Sequence, residues 1–584
     1  MQRLRPLSSL LFIPLLFLAN PQKPPTVPSA DYVGAEACRS CHLEIADKYQ
    51  RLGMARSFNS IENVPLIEEW ETNNRYYHTL SQQYFEMVRH DGRFFQRRYQ
   101  IDAGQQRNAF EQEIHFVLGS GNKERDYLHL SPSGKLTQLP IVWYSEQKAW
   151  GMAPGYDRPD HQGFLRGIDN RCMFCHNAYP KLPESWTRYE ASRSRFTADL
   201  PSGIDCERCH GPGGTHVKSP GRENIVQPAR LSRALQLDIC MQCHLETSSS
   251  LDSDAVVRTG RGVFSYRAGE SLLDYVAYFD YPQGSSHEAD FNIVHQAYRL
   301  RKSACFKNSQ MTCTTCHDPH GVPESKMRFY NNRCQTCHQS HPGPHNDGDC
   351  VTCHMPRRKT QDVVHVSMTD HYIQRVVSPA APPQAERKRE EYRGPLSFYF
   401  PEQRNDLDLG LALIRGPDIR RGIQLLEKES ADTVERMYNL AVGYQVLGQL
   451  DRAIEHYRRS LRLDPRYSEA AYNLGSALMS KRAFSDAIKV FDSLLARDPD
   501  FADAYVARAT SKLQAARELT PDVLESARQD NLKAVRLEPL HVVGLNNLGL
   551  LALQQRRLPE AQSYFRRVLA IQPDNRIALQ NINR

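Results

Sequence analysis

The chain has 584 residues, too many for one ordinary domain, so two to four are expected. Hydrophobic residues make up 40%, aromatics 9% and charged residues 24%, which excludes a disordered tail and a membrane bundle. A formal net charge of +7 is mild at this length and no long basic block occurs, so no nucleic-acid partner is implied.

Residues 1–5 carry two arginines, and Leu7 to Ala19 form an apolar run broken only by Ser8, Ser9 and Pro14. A basic start before a short apolar stretch is the form of a secretory signal. The run falls short of the about 20 apolar residues that span a bilayer. Residues 1–30 are therefore expected to be a signal peptide and a Pro-rich tether (Pro21 to Pro28), and the mature protein to be periplasmic or otherwise exported. Leu18-Ala19-Asn20 marks cleavage poorly, and an uncleaved signal would anchor the chain in the membrane.

Residues 31–378 are organised by fourteen of the 15 cysteines. Cys-x-x-Cys-His occurs at Cys38–Cys41–His42, Cys172–Cys175–His176, Cys206–Cys209–His210, Cys240–Cys243–His244, Cys313–Cys316–His317, Cys334–Cys337–His338 and Cys350–Cys353–His354. This is the attachment signature of c-type haem: two thiols take the vinyl groups of one porphyrin and the adjacent His supplies the proximal nitrogen to iron. Zinc clusters, redox pairs and disulfide frameworks do not require a His after every second Cys. Seven covalently bound haems are expected. Motif starts are separated by 134, 34, 34, 73, 21 and 16 residues, and Asn331 to Val351 contains no Leu, Ile or Phe. Such a segment cannot build a side-chain core, so porphyrin faces are expected to replace one, and folding to depend on haem attachment.

Each iron has a sixth position. Outside the motifs, residues 1–380 hold His78, His90, His115, His129, His161, His216, His287, His295, His320, His341, His345, His365 and His371. His216 and His320 follow motifs in turn-rich loops, and His365 and His371 lie in a stretch without a motif; these four are the distal candidates. Met54, twelve residues after His42 on an expected helix from Glu44 to Arg56, reads either as core or as a His/Met ligand that would raise the potential. His78, His90, His115 and His129 read as surface or satisfied histidines. Cys305 is the odd thiol, read as inert, a ligand or an intermolecular partner.

Residues 76–156 carry no motif and read as a small β-rich insertion, with a hairpin signal at Asp91-Gly92. Trp143, Tyr144, Trp150 and Tyr156 within it read as packing residues rather than a pocket wall. Residues 379–401 are Pro-rich and then charged, a linker. From 402 the chain is helical with a period of 34: Tyr438-Asn439-Leu440 recurs as Tyr472-Asn473-Leu474 and loosely as Asn546-Asn547-Leu548, while Pro465, Pro499, Pro539 and Pro573 close the units. This is the tetratricopeptide pattern, with units at about 434–467, 468–501, 502–541 and 542–575, and a degenerate hairpin at 402–430. Arrays of this kind bind a partner or serve assembly.

Tyr32-Val33-Gly34 before Cys38, with Gly203-Ile204-Asp205-Cys206-Glu207-Arg208-Cys209-His210-Gly211-Pro212-Gly213, resembles the tetrahaem cytochromes c that accept electrons from hydroxylamine oxidoreductase. Cys350-Val351-Thr352-Cys353-His354-Met355-Pro356 looks like the last haem site of the octahaem tetrathionate, nitrite and hydroxylamine enzymes. The whole order looks like a bacterial group of exported multihaem proteins with a tetratricopeptide array. The resemblance implies a haem-packed fold and electron transfer. In the tetrahaem family a His often stands where Met54 does here, and no motif ends in the Lys that marks the active haem of pentahaem nitrite reductases.

The sequence therefore predicts a mostly α molecule: a haem-packed multihaem cytochrome c domain with a small β-rich insertion, then an α-solenoid. The leading function is electron transfer, with the array docking a redox partner protein. The alternatives are an oxidoreductase acting on a small nitrogen or sulfur compound at one five-coordinate haem, and a redox sensor built on the array.

Overall fold

The structure is a computed structural model. It describes residues 31–583 apart from 184–185, 187, 190–192, 248–253, 283, 286–289, 340–347, 364, 376–394 and 417. The expected signal and tether, His287, His341, His345 and most of the expected linker lie outside the described residues.

Alternation of buried and exposed side chains builds two antiparallel sheets. Arg75–His78, Gln83–His90, Arg93–Asp102 and Gln105–Ile114 form a four-stranded meander. Asp91 and Gly92 join its middle strands with φ of 52° and 76°, the left-handed pair that a two-residue hairpin of the right twist requires. The second sheet orders Phe58–Ser60, Phe116–Leu118, Glu124–Leu130, Ile141–Tyr144 and Ala149–Met152, with Leu136–Gln138 beside Glu124–Leu130. Trp70, Trp143, Tyr144, Trp150 and Tyr156 are buried in one core here, and Trp70 meets Trp150 edge-to-face at 5.5 Å. The four aromatics singled out from the sequence thus pack.

The chain is mixed α/β, which corrects the expectation of a mostly α molecule. Strands begin at Phe58, and the helical turns that carry the Cys-x-x-Cys-His motifs are short, from three to 12 residues. Continuous helix dominates only from Asp406 to Asn581. There the hairpins are Val434–Val446 with Leu450–Leu463, Ser468–Ser480 with Phe484–Arg497, Ala502–Ala515 with Pro521–Leu537, and Val542–Gln554 with Leu558–Ile571. Asp406–Arg415 and Ile419–Lys428 precede them, and Arg576–Asn581 ends the array. Helices cross where one lacks a side chain: a Cβ on Gly475 would sit 2.4 Å from the Phe491 ring, and one on Gly549 2.6 Å from Phe565. The third hairpin absorbs its extra length in a 17-residue second helix and in the turn 516–520.

One edge of the array grips the motif-bearing part of the chain. The residue before the closing Pro is acidic in three units, and each acid meets a basic side chain from residues 135–195. Arg188 Nη1 lies 3.1 Å from Asp464 Oδ2, Arg195 pairs with Asp498, and Arg193 and Lys135 reach Glu538 at 3.4 and 3.5 Å. The fourth unit has Gln572 in that place, and there Arg98 instead donates to the carbonyls of Ala570 and Ile571, the latter at 3.1 Å. The Tyr189 ring packs on Tyr467 at 4.3 Å, tilted by 32°, while Phe110 and Leu165 pack on the core of the last unit. A fully buried large side chain contributes about 1.5–3 kcal/mol, so apolar contact supplements the ion pairs. The far end of the expected linker is also tied down: Ser397–Phe398 pairs with Phe279 and Asp280.

Candidate functional site

A cavity of about 3160 Å³ runs through the motif-bearing region. A single small-molecule pocket is roughly 300–1,000 Å³, so this space suits several large groups. All seven motifs reach it with their His, five of them with both thiols, the second with Cys175 alone and the seventh with Cys350 alone. Where a motif lies on a helical turn, residues i, i+3 and i+4 share one face, which aims two thiols and an imidazole the same way. Side-chain caps fix where such turns begin. Asp169 accepts from Arg171 N and Cys172 N, Asp349 from Val351 N, and Ser232 from Leu235 N. No side chain of the helices Ala35–Arg39, Leu43–Tyr49, Lys326–Gln335 and Cys350–His354 is fully buried.

The thiols adjoin between motifs. Cys38 lies within electrostatic reach of Cys206, Cys175 of Cys243, Cys240 of Cys313 and Cys334 of Cys350. Cys243 is held down to about 6, first by its contact with Cys175 and further by the charge of Arg208. None of the cysteines is in a disulfide. Cys209 lies within electrostatic reach of Cys243, and Cys316 of Cys337. Numbered along the chain, motifs 1, 3, 4, 5, 6 and 7 thus adjoin in series, with motif 2 beside motif 4.

Three pairs of imidazoles face each other across the cavity. His42 and His216 have ring centroids 6.2 Å apart at 12°, His210 and His320 5.9 Å at 18°, and His317 and His371 6.1 Å at 25°. Two imidazoles sharing one metal through bonds of about 2 Å place their centroids about 6 Å apart. The other ring nitrogen meets a backbone carbonyl in three of these six residues. Nδ1 of His210 meets Val226 O at 2.9 Å, His216 meets Gly221 O at 3.1 Å and His371 meets Thr369 O at 3.1 Å. His176 and His354 do the same with Ser57 O at 3.3 Å and Gln374 O at 2.7 Å. A carbonyl can only accept, so Nδ1 carries the proton and Nε2 keeps its lone pair free to ligate. Burial pushes His371 down to about 4 and lowers His176, His210 and His317, which favours the neutral, ligating form.

The other sequence candidates lie elsewhere or remain single. His365 meets Tyr144 at 4.8 Å in the β-rich part, and its carbonyl accepts from Gln147, so it is not brought to a motif histidine. Met54 lines the cavity, but the imidazole of His42 faces His216. The helix expected from Glu44 to Arg56 stops at Tyr49, and the chain then turns so that Gly53 meets the side chains of Asn122 and Ser120. Cys305 lines the cavity and lies within electrostatic reach of Cys316 and Cys334. His90 stacks on Phe95 and bonds Glu111, His78 bonds Ser81 and Asp157, and His115 and His129 pair with each other. Among the described residues no imidazole stacks on His176, His244 or His338, and no group of three or more acidic, Cys or His side chains is arranged around a bare metal ion.

Sequence reasoning missed Glu207, an x residue of the third motif. It is 2% exposed and its carboxylate accepts from Val33 N, Gly34 N and Gly213 N at 2.7–3.1 Å. This one side chain ties the approach to the first motif onto the third, so Val33-Gly34 and Glu207 belong to one device. The strand start Asn122–Glu124 also enters the cavity wall, where burial holds Glu124 up at about 9. No signal short of the fold brings that loop to the motifs. The residues present fit haem: every motif brings at least one thiol and its imidazole to the cavity wall, and three of those imidazoles face a second one.

The tetratricopeptide repeat family matches residues 438–502 and 542–575. Over 192 residues, 31% of this chain, the sequence is 27% identical to the multiheme cytochrome MtrA of Shewanella baltica (strain OS185). That match spans 55% of the relative's length, about half of it. Solved structures similar to the chain include MamA 41-end from Desulfovibrio magneticus RS-1, 20% identical, covering 29% of this chain and 95% of that one with a TM-score of 0.27. YrrB, described as a TPR protein with an unusual peptide-binding site, is 15% identical, with 30% and 89% covered and a TM-score of 0.27. No helix among the described residues is long and apolar enough to cross a membrane.

Proposed function

We propose that the chain is an exported heptahaem c-type cytochrome that transfers electrons, with a repeat array that braces the haem-bearing part and leaves its remaining surface for a redox partner protein. The observation that carries this reading is the set of three imidazole pairs at iron-sharing distance inside one cavity reached by seven Cys-x-x-Cys-His motifs. Bound haem would supply a one-electron iron couple at each motif. The chain's own part is to place His42, His176, His210, His244, His317, His338 and His354 as proximal nitrogens. His216, His320 and His371 serve as distal nitrogens for the first, third and fifth motifs. Backbone carbonyls orient the rings through Nδ1, and the contiguous thiols keep neighbouring attachment sites close. The 27% likeness to a multihaem cytochrome supports the cofactor class, and the resemblance to the tetrahaem and octahaem families remains part of the proposal.

The test is a haem count on the exported protein with low-temperature EPR, before and after cyanide. Seven haems with low-spin signals untouched by cyanide support a carrier. A protein without covalent haem overturns the reading. A second reading, an oxidoreductase for a small nitrogen or sulfur compound, is favoured by Glu124 and Lys123 in the cavity wall and by the unstacked rings of His176, His244 and His338 among the described residues. A high-spin signal that shifts with cyanide, nitrite or hydroxylamine would bring it forward.

A further inference from the structure

The helix Gln296–Lys302 carries no motif, yet both its ends reach histidines of the cavity. At its start the Gln296 amide donates from Nε2 to Ile293 O at 2.7 Å, which turns Oε1 toward His244 Nδ1 at 3.4 Å. Just past its end the buried Ser303 hydroxyl donates to His371 O at 3.2 Å and accepts from Ile373 N at 2.8 Å. Between them Arg299 forms a two-point pair with Asp370. Nε lies 2.9 Å from Oδ1 and Nη2 2.7 Å from Oδ2, and the two side chains are 7% and 1% exposed. Arg358 adds a bond to Oδ2 at 3.1 Å, and Oδ1 also accepts from Tyr372 N at 2.9 Å.

These contacts converge on one strap, residues 369–374. Asp370 N donates to Pro356 O at 3.0 Å, and at the far end Gln374 O meets Nδ1 of His354 at 2.7 Å. His371 lies between, facing His317. The strap therefore serves the fifth and seventh motifs together. Arg299 and Asp370 fix the backbone on either side of His371, and the ring follows through its own Nδ1 contact with Thr369 O. A buried ion pair gains little net stability over apolar packing, and its best-attested use is to hold one arrangement against others. A guanidinium and a carboxylate joined by two bonds fix direction as well as distance.

We propose that Arg299 and Asp370 are positioning residues for the fifth motif: their pair holds the strap so that His371 meets that motif's iron opposite His317. This rests on the haem reading above. Neither residue is itself a ligand. Groups that orient a ligand from outside alter its hold on a metal by roughly 10–100-fold, and a loosened His371 opens the iron to other ligands by the same factor.

The experiment uses the full-length haem-loaded protein, low-temperature EPR and a cyanide titration. His371→Ala identifies the low-spin signal of this iron by removing it. Asp370→Asn should convert part of that same signal to a high-spin form that binds cyanide roughly 10–100-fold more tightly than wild type, with the other signals unmoved. Arg299→Lys, which keeps the charge and loses the planar fork, should do so to a smaller extent. Asp498→Asn, which breaks an ion pair on the array edge, should lower the melting midpoint and leave every signal alone, so that lost stability by itself does not mimic the effect. If Asp370→Asn yields no haem-loaded protein, cyanide binding at the same iron in Arg299→Lys decides. A wild-type spectrum and cyanide titration in the deciding variant, or an equal change at every iron, overturns the proposal while a haem-loaded wild type leaves the parent reading standing. A His371→Ala spectrum like that of wild type removes His371 from the ligand set and overturns it too. A wild type without covalent haem fails the parent reading instead.

Discussion

His216 faces His42 at 6.2 Å with the two rings 12° from parallel, although one belongs to the short helix Gly214–Lys218 after the third motif and the other to the first motif. The pairs His210–His320 and His317–His371 repeat this crossing, each motif borrowing its second imidazole from a later stretch of chain. Imidazoles facing each other from separate segments bring those segments together around the cavity.

The first prediction follows from that pairing. His216→Ala should convert one low-spin iron to a high-spin form that binds cyanide, read by EPR and optical titration. His365→Ala and Met54→Leu should leave every low-spin signal in place. A His216→Ala spectrum identical to wild type would remove His216 from the ligand set.

Glu207 holds Val33, Gly34 and Gly213 by their backbone N–H groups. Bonds to a charged acceptor contribute roughly 1.5–3 kcal/mol, so Glu207→Gln should destabilise the protein by about 2 kcal/mol. Thermal denaturation read at the haem bands should show a lower midpoint with the haem count retained.

No side chain of Lys326–Gln335 is fully buried, so its order should depend on what fills the cavity. Cys337→Ala should lower the haem content, seen by mass, and deprotect this helix in hydrogen exchange. An unchanged exchange pattern in a haem-depleted protein would count against haem as the core of this segment.

The ladder of Arg188–Asp464, Arg195–Asp498 and Arg193–Glu538 makes the array part of the motif-bearing unit's stability. Arg195 and Asp498 side chains are 8% and 14% exposed, between a surface and a buried pair, so Asp498→Asn should cost about 1–3 kcal/mol. Deleting residues 396–584 would expose Tyr189, Phe110 and Leu165, and the fragment should melt well below the full chain. A fragment as stable as the parent would show that the edge contact adds nothing.

Glu469 accepts from the Arg193 backbone N–H, and burial pushes it up from 4.5 to about 7. The folded state therefore favours its protonated form more than the unfolded chain does. Its contribution is complete below about pH 4.5 and is lost as pH rises toward 7, roughly 3 kcal/mol at most. Denaturation midpoints across that window should fall for wild type and flatten for Glu469→Gln.

The sequence by itself determined the chemistry and the periodic parts. Cys-x-x-Cys-His is a local covalent signature, and the 34-residue period records a hairpin that contacts mainly its neighbours, so both are written in adjacent residues. The Asp91-Gly92 turn was legible for the same reason, since its left-handed backbone is set by two residues. What only the tertiary structure decided were meetings across long separations. Which histidine faces which motif depends on where a loop lands, so His216, His320 and His371 came to motif partners while His365 went to Tyr144. The edge ladder was hidden because Asp464, Asp498 and Glu538 read as ordinary residues before a turn proline until residues 135–195 are folded against them. Glu207 stayed silent as one of two variable letters in a motif: its meaning lies in the Val33, Gly34 and Gly213 N–H groups that meet it only in the fold.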